Sequence, residues 1–314
     1  MKLNVLIYIA LIGLIASCDS LRQEVEPKGL TQQSEKLVVS CFISPQDTVL
    51  TVLLSRSSPV LGPSNEFAYV YGATVTLSDG VKTVTLRDST PKIGFGGSKL
   101  FYRIRASELP IVAGKTYTLK ASAFGVSEVT ATCTVPVPVA LEQVLIDSAL
   151  NTDFSDGRKN YSVRLRWRDA AGQANFYRIA GNNEYPQRFT FRPSPNAPPR
   201  DTLVLYTSSW YFDNGYLLTD LGRDGQEMIS ERARLASTST FNNGVWTYTA
   251  PSGKLEAYLL NVDENYYRYH DAIERQNQVR DNPFAEPVLI SSNIQGGFGC
   301  FGAYNRSTLM MRLK

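Results

Sequence analysis

Short runs of β-branched and aromatic residues alternate with turn residues through the first half of the chain, at 37–43, 48–54, 73–77, 83–86, 100–105, 116–121 and 126–135. A period of two within each run is the mark of a strand with one buried face. The stretch from Thr74 to Leu86 is broken by Asp79-Gly80, a pair that reaches the positive φ angles of a tight hairpin turn. Short strands at this spacing predict an immunoglobulin-like Greek-key β-sandwich over residues 37–135. Pro136 and Pro138 fix φ and remove backbone donors, which makes 136–140 a stiff linker.

Residues 141–314 keep the β pattern. Tyr161, Val163, Leu165 and Trp167 alternate strictly with polar residues and share one strand face. Further strands are predicted at 176–179, 188–191, 203–206, 255–262 and 309–313, with a proline-rich loop at 193–199. One helix is predicted near 263–278. Asp263 can cap it, Glu264 suits the positive end of its dipole, and Glu264–Arg268 and Asp271–Arg275 are spaced i,i+4. Pro283 stops it, and Pro283 with Pro287 should hold 282–288 extended. The fold class is mainly β: an N-terminal sandwich, then a second β-rich, sandwich-like domain at 141–314 carrying one helix, which should lie across the second sheet.

The N-terminus breaks this pattern. Lys2 precedes an apolar run from Leu3 to Ile15, too short for a comfortable membrane span, which ends in Ile15-Ala16-Ser17-Cys18. These are the parts of a lipoprotein signal peptide at 1–17. An ordinary export signal accounts for the small residues but not for the cysteine. The sequence therefore predicts acylation of Cys18 and anchoring to a lipid bilayer, each buried methylene contributing about 0.8 kcal/mol. Residues 18–36 are mostly polar and read as a flexible tether.

Charge and cysteine content narrow the partners. The 32 basic residues against 29 acidic ones give no clustered basic excess, so a nucleic-acid partner is not expected. His270 is the single histidine, which disfavours multi-histidine metal sites. Four cysteines form no CxxC pair, so a zinc ribbon is excluded. Cys41 and Cys133 fall on the first and last strands of the first sandwich. They are a possible disulfide, with two buried thiols as the alternative.

Candidate chemistry is sparse. Asp220, Asp224 and Glu231 have the spacing of a calcium loop with Gly225 at its sixth position, but Gly222 removes the third ligand. They are weak metal candidates against a reading as glycine-assisted turns. His270, beside Tyr266, Tyr267 and Tyr269, reads as a base or ligand, or as part of a packed aromatic stripe. Arg164, Arg166 and Arg168 share a strand face that can grip an anion or simply solvate the sheet. Trp210, Tyr211 and Phe212 read as a stacking platform for sugar or peptide, or as core. No G-x-S-x-G elbow is present, and no cofactor or catalytic residue is predicted. Gly296, Gly297, Gly299 and Gly302 permit close backbone approach, with Phe298 and Phe301 expected to anchor them in the core of the second domain. They are not a dinucleotide fingerprint, because no helix follows and no βαβ unit surrounds them.

Three C-terminal segments resemble the DUF4249 family, a domain of unknown function. They are Tyr266-Tyr267-Arg268-Tyr269, the Asn282-Pro283-Phe284 stretch running to Val288, and Ser292 to Tyr304 with its glycines. Gly72-Ala73-Thr74-Val75 and the prolines near 136 resemble it as well. Cys300 departs from the family, which more often places an aliphatic residue there. The resemblance implies a lipoprotein of Bacteroidota-type bacteria on the outer membrane, facing the periplasm or the cell surface. It also implies a partner, a TonB-dependent receptor that the lipoprotein assists in nutrient capture or uptake. The alternatives are a structural or adhesive envelope module and, last, a carboxylate-based hydrolase.

Overall fold

Along β1 (Leu37–Ile43) the alternation converts directly into burial, with Leu37, Val39, Cys41 and Ile43 inward. The same holds for β2 (Val49–Arg56), β3 (Thr74–Ser78), β4 (Thr83–Ser89), β6 (Thr116–Ala123) and β7 (Val126–Thr134), while Tyr102 is the buried member of β5 (Phe101–Arg105). The computed structural model describes residues 35–58, 69–89, 100–152, 157–194, 197–212, 215–242, 245–282 and 284–313. The signal peptide, Cys18, most of the tether, Pro283, and Asp213 and Asn214 lie outside the described residues.

The chain is mainly β. The second half contributes β8 (Leu141–Leu150), β9 (Lys159–Arg168), β10 (Phe176–Phe191), β11 (Arg200–Ser209), β12 (Tyr211–Phe212), β13 (Leu217–Thr219), β14 (Glu227–Ile229) and β15 (Ala233–Arg234). A hairpin of β16 (Thr238–Asn242) and β17 (Val245–Thr249) follows, then β18 (Gly253–Val262), the helix α1 (Glu264–Val279) and the long β19 (Phe298–Leu313). One sheet path runs β11-β10-β18-β19-β1-β2-β5-β4-β3-β6-β7, with β13 beside β10. A smaller sheet runs β12-β15-β9-β14, with β8 also on β9. Inward residues of β1 to β7 form one core. A second, around Trp167 and Tyr177, lies between the small sheet and the β10-β18 part of the large one.

The first core ends at Val135 and the second begins at Val139, on either side of the proline linker. The last strand does not respect that division. Phe298 to Ala303 pair in parallel with β1, and Tyr304 to Leu313 pair antiparallel with β18. Ile294, Phe301 and Ala303 belong to the first core. The glycine block, expected in the second domain, is therefore seated against the first sandwich. Phe298 is not a core anchor: it is 46% exposed beneath the Lys36 ammonium, 5.1 Å from the ring centroid. The physical reason is parity: Gly299 sits opposite Val39, with a positive φ of 99°. At Gly299 an added Cβ would stand 2.0 Å from the Val39 carbonyl oxygen, and at Gly297 2.5 Å from that of Leu37. No side chain fits.

The helix forms as predicted. Asp263 Oδ1 accepts from Tyr266 N–H at 2.7 Å, and both i,i+4 pairs are made. Its buried residues are Tyr266 and Ala272; the Tyr266 ring meets Phe42 of β1 edge-on at 4.9 Å, and Gly302 of β19 leaves room for the Tyr266 backbone. After the helix the chain turns before it extends, with Asn282 Oδ1 accepting from Phe284 N–H at 3.0 Å. Phe284 is 94% exposed, so this stretch adds little to the core.

Candidate functional site

An aromatic cleft begins at Gly181 of β10. A Cβ there would stand 2.5 Å from the indole of Trp210, so the missing side chain lets Trp210 lie flat on the strand. Trp210 N–H donates to Gly181 C=O at 2.9 Å and fixes the crossing from β11 to β12. The cleft holds about 370 Å³ and is walled by Trp210, Tyr211, Phe212, Tyr216 and Tyr258, with Arg178 at one end. The Arg178 guanidinium lies over the rings of Tyr216 and Tyr266, at 5.5 and 5.8 Å, and donates to the Tyr266 hydroxyl. Asn182 Oδ1 and Ser209 Oγ pair at 3.0 Å in the wall. Burial raises the phenols of Tyr216 and Tyr258, so both stay neutral donors at pH 7. Ring faces, one held cation and neutral polar groups suit a ligand with flat or polyhydroxylated surfaces. The sequence pointed to Trp210, Tyr211 and Phe212. It missed Arg178, Tyr216 and Tyr258, which reach the cleft only through the sheet order.

The weak metal set is rearranged. Asp220 and Asp224 do meet, but with Asp169 instead of Glu231, their carboxylate oxygens within 4.8 Å of one another. Glu231 instead packs its Cγ 2.7 Å from where a Cβ on Gly215 would stand. Each of the three carboxylates already serves a turn. Asp169 accepts from Tyr177 O–H at 2.5 Å and Gly225 N–H at 2.8 Å, Asp220 from Asn175 N–H at 2.8 Å, and Asp224 from Gly172 N–H at 2.8 Å. The cluster ties the loop after β9 to the loop after β13.

His270 is a packed aromatic. It stacks on Tyr266 at 4.1 Å, lies 4.9 Å from Phe42, and its Nδ1 is 2.8 Å from the Tyr266 carbonyl. Burial pushes the imidazole down to about 4, so it is neutral in the folded state at pH 7. A depressed folded value means that its stability contribution is present above about pH 6.5 and is lost as pH falls through about 4. Lowering the pH across that window should cost up to about 3 kcal/mol through this residue. His270→Phe should flatten that part of the curve in denaturant unfolding at pH 7 and pH 4; an equal loss in both proteins would count against the assignment.

Cys41 and Cys133, the possible disulfide, are free thiols, as is Cys300, and all three are buried. Burial raises each thiol, which makes them apolar packing groups. Their strands are neighbours through the core, not through a bridge. Of the strand arginines, Arg164 pairs with Asp147 at 2.9 Å and Arg166 approaches Glu227 at 3.9 Å, both on the outer face of the small sheet.

No curated protein and no solved structure matches the chain. The model of the domain of unknown function DUF4249 matches residues 22–309, and the chain belongs to that family.

Proposed function

We propose that this chain is a lipid-anchored binding protein of the outer membrane that assists a TonB-dependent receptor in capturing or admitting a nutrient. The observation that carries the binding role is the Arg178–Trp210 cleft, whose volume lies within the range of small-ligand sites. Its aromatic walls are held by backbone contacts, so the site is formed before a ligand arrives. Anchoring is supported by Ile15-Ala16-Ser17-Cys18, and the receptor partnership by the family resemblance. His270, and the carboxylates that meet at Asp169, are consumed by packing and turn hydrogen bonds. This favours binding over catalysis.

A second reading, an envelope module that holds other proteins, has one observation in its favour. The edge strand β11 exposes Leu203 at 64% and Leu205 at 62%, apolar groups on a strand that pairs on one side only among the described residues.

Purification of the intact lipoprotein from outer membranes in mild detergent tests the main reading. The expected result is a stoichiometric barrel receptor. Cys18→Ser should lose lipid labelling and leave the membrane fraction. Repeated recovery of the chain alone, or unchanged labelling of the variant, would overturn the proposal.

A further inference from the structure

The first sandwich is entered at one of its ends, where Lys36 leads into β1. Ser57 N–H donates to Lys36 C=O at 2.8 Å, and Lys36 N–H donates to Ser57 Oγ at 3.0 Å. Beside them Arg56 donates from Nη2 to the Phe124 carbonyl at 2.8 Å, which braces the β6–β7 hairpin against β2. Ala123 pairs with Val126, so Phe124 and Gly125 form the tip of that hairpin, with Gly125 at a φ of 77°. Such turns favour Asn or Asp before the glycine. Here the position holds a phenylalanine that is 97% exposed. Tyr71, 68% exposed, shortly precedes Thr74, whose partner Ser122 lies next to the same tip. Neither Phe124 nor Tyr71 belongs to the core of the sandwich. Phe298, beneath the Lys36 ammonium, adds a third, half-exposed ring at this end.

Aromatic groups presented this way gain free energy by entering the boundary between lipid headgroups and acyl chains, about 5–10 Å deep. A few rings alone would hold a bilayer weakly. A linker changes that, because a second contact made through it is intramolecular and sees an effective concentration in the millimolar range. Residues 18–36 can span about 60 Å at full extension, and they join the body where these rings are. We propose that this end of the first sandwich, led by Phe124 and Tyr71, rests in the surface of the phospholipid bilayer that holds the anchor. The proposal rests on the reading of Cys18 as the lipid attachment site and adds a fixed orientation of the body. Strand β19 starts at this end with Phe298 opposite Val38, and Thr308 sits beside Tyr258 of the cleft. The cleft is thereby carried about 30 Å along the strand, clear of the lipid.

The test is tryptophan fluorescence of the acylated chain in phosphatidylcholine vesicles with and without brominated acyl chains. Phe124→Trp should sediment with the vesicles and lose emission in the brominated ones, beyond any loss shown by wild type, whose Trp167 and Trp210 are buried. Val81→Trp is the matched control. Val81 is 95% exposed on the β3–β4 hairpin, at the opposite end of β6, so a tryptophan there should keep its emission. Sedimentation of Phe124→Trp without quenching would overturn the inference and leave the anchor standing. Equal quenching at both positions would overturn it as well, since the body would then have no preferred face. Failure of wild type to sediment with either vesicle would overturn the anchor and this inference together.

Discussion

Gly299→Val should cost about 4 kcal/mol or more, the largest effect of any single substitution considered for this chain. Two separate penalties act at that residue. Its φ of +99° is a region that side chains with a Cβ rarely enter, and the Cβ would stand 2.0 Å from the carbonyl oxygen of Val39. Val39 is fully buried in β1, so its backbone cannot retreat without opening the first core. Gly222→Ala separates the two penalties. Gly222 also has a positive φ, of 75°, but nothing lies within 4 Å of its missing Cβ. That variant should lose only about 1–2 kcal/mol. Calorimetric unfolding of both variants measures the difference, and the transition of the first sandwich should fall with Gly299→Val because β1 is the partner strand. Equal destabilisation by the two variants would show that conformation alone, not contact, demands glycine at 299.

Asp263→Ala should cost about 2–4 kcal/mol by removing two bonds at once. Oδ1 caps α1 through Tyr266 N–H at 2.7 Å, and Oδ2 accepts from Ala303 N–H of β19 at 3.0 Å. The backbone N–H of Asp263 donates to Ala303 C=O at 2.9 Å, so helix and strand are riveted at one residue pair. Loss of the cap alone is worth about 1 kcal/mol. The rest comes from Ala303 N–H, left without an acceptor inside the protein, since Ala303 is fully buried. Asp263→Asn should recover the cap, because its single carbonyl oxygen can serve Tyr266. It should not recover the second bond, since an amide –NH2 would then face another donor. The expected order of midpoints in denaturant is wild type, Asn, Ala. An Asn variant as stable as wild type would show that the Ala303 bond contributes nothing.

Elements with one buried face were legible in the sequence, because burial imposes the period of two that β1, β2, β9 and β18 display. The helix was legible from Asp263 and its ion pairs. The first half of β19 was not. Four glycines between 296 and 302 argue against a strand by propensity, yet Glu128, Leu37, Val39 and Tyr266 in turn approach each of them closely where a side chain would start. A contact with a segment far away in sequence overrides the local preference, and no window of residues contains that information. The same blindness explains the site. Trp210 and Tyr211 stand out as neighbouring aromatics, whereas Arg178 joins them only because β10 carries Gly181 beneath Trp210. Asp169 was missed for a similar reason: its partners come from β10, through Tyr177, and from the loop after β13, through Gly225.

The parallel pairing of β1 with β19 has a consequence for how the protein is made. Val38 aligns with Phe298, so the first strand to emerge in synthesis waits for the last before its sheet is complete. Loop closure over such a separation is slow, and contacts of this kind raise the barrier to folding. An exported chain would cross its membrane with that edge still open, exposed to misassembly until the final strand arrives. A chain truncated before Phe298 would keep almost all of the first sandwich's residues and still lack the strand that seals it, so the sheet's open edge persists until the last strand of the chain arrives.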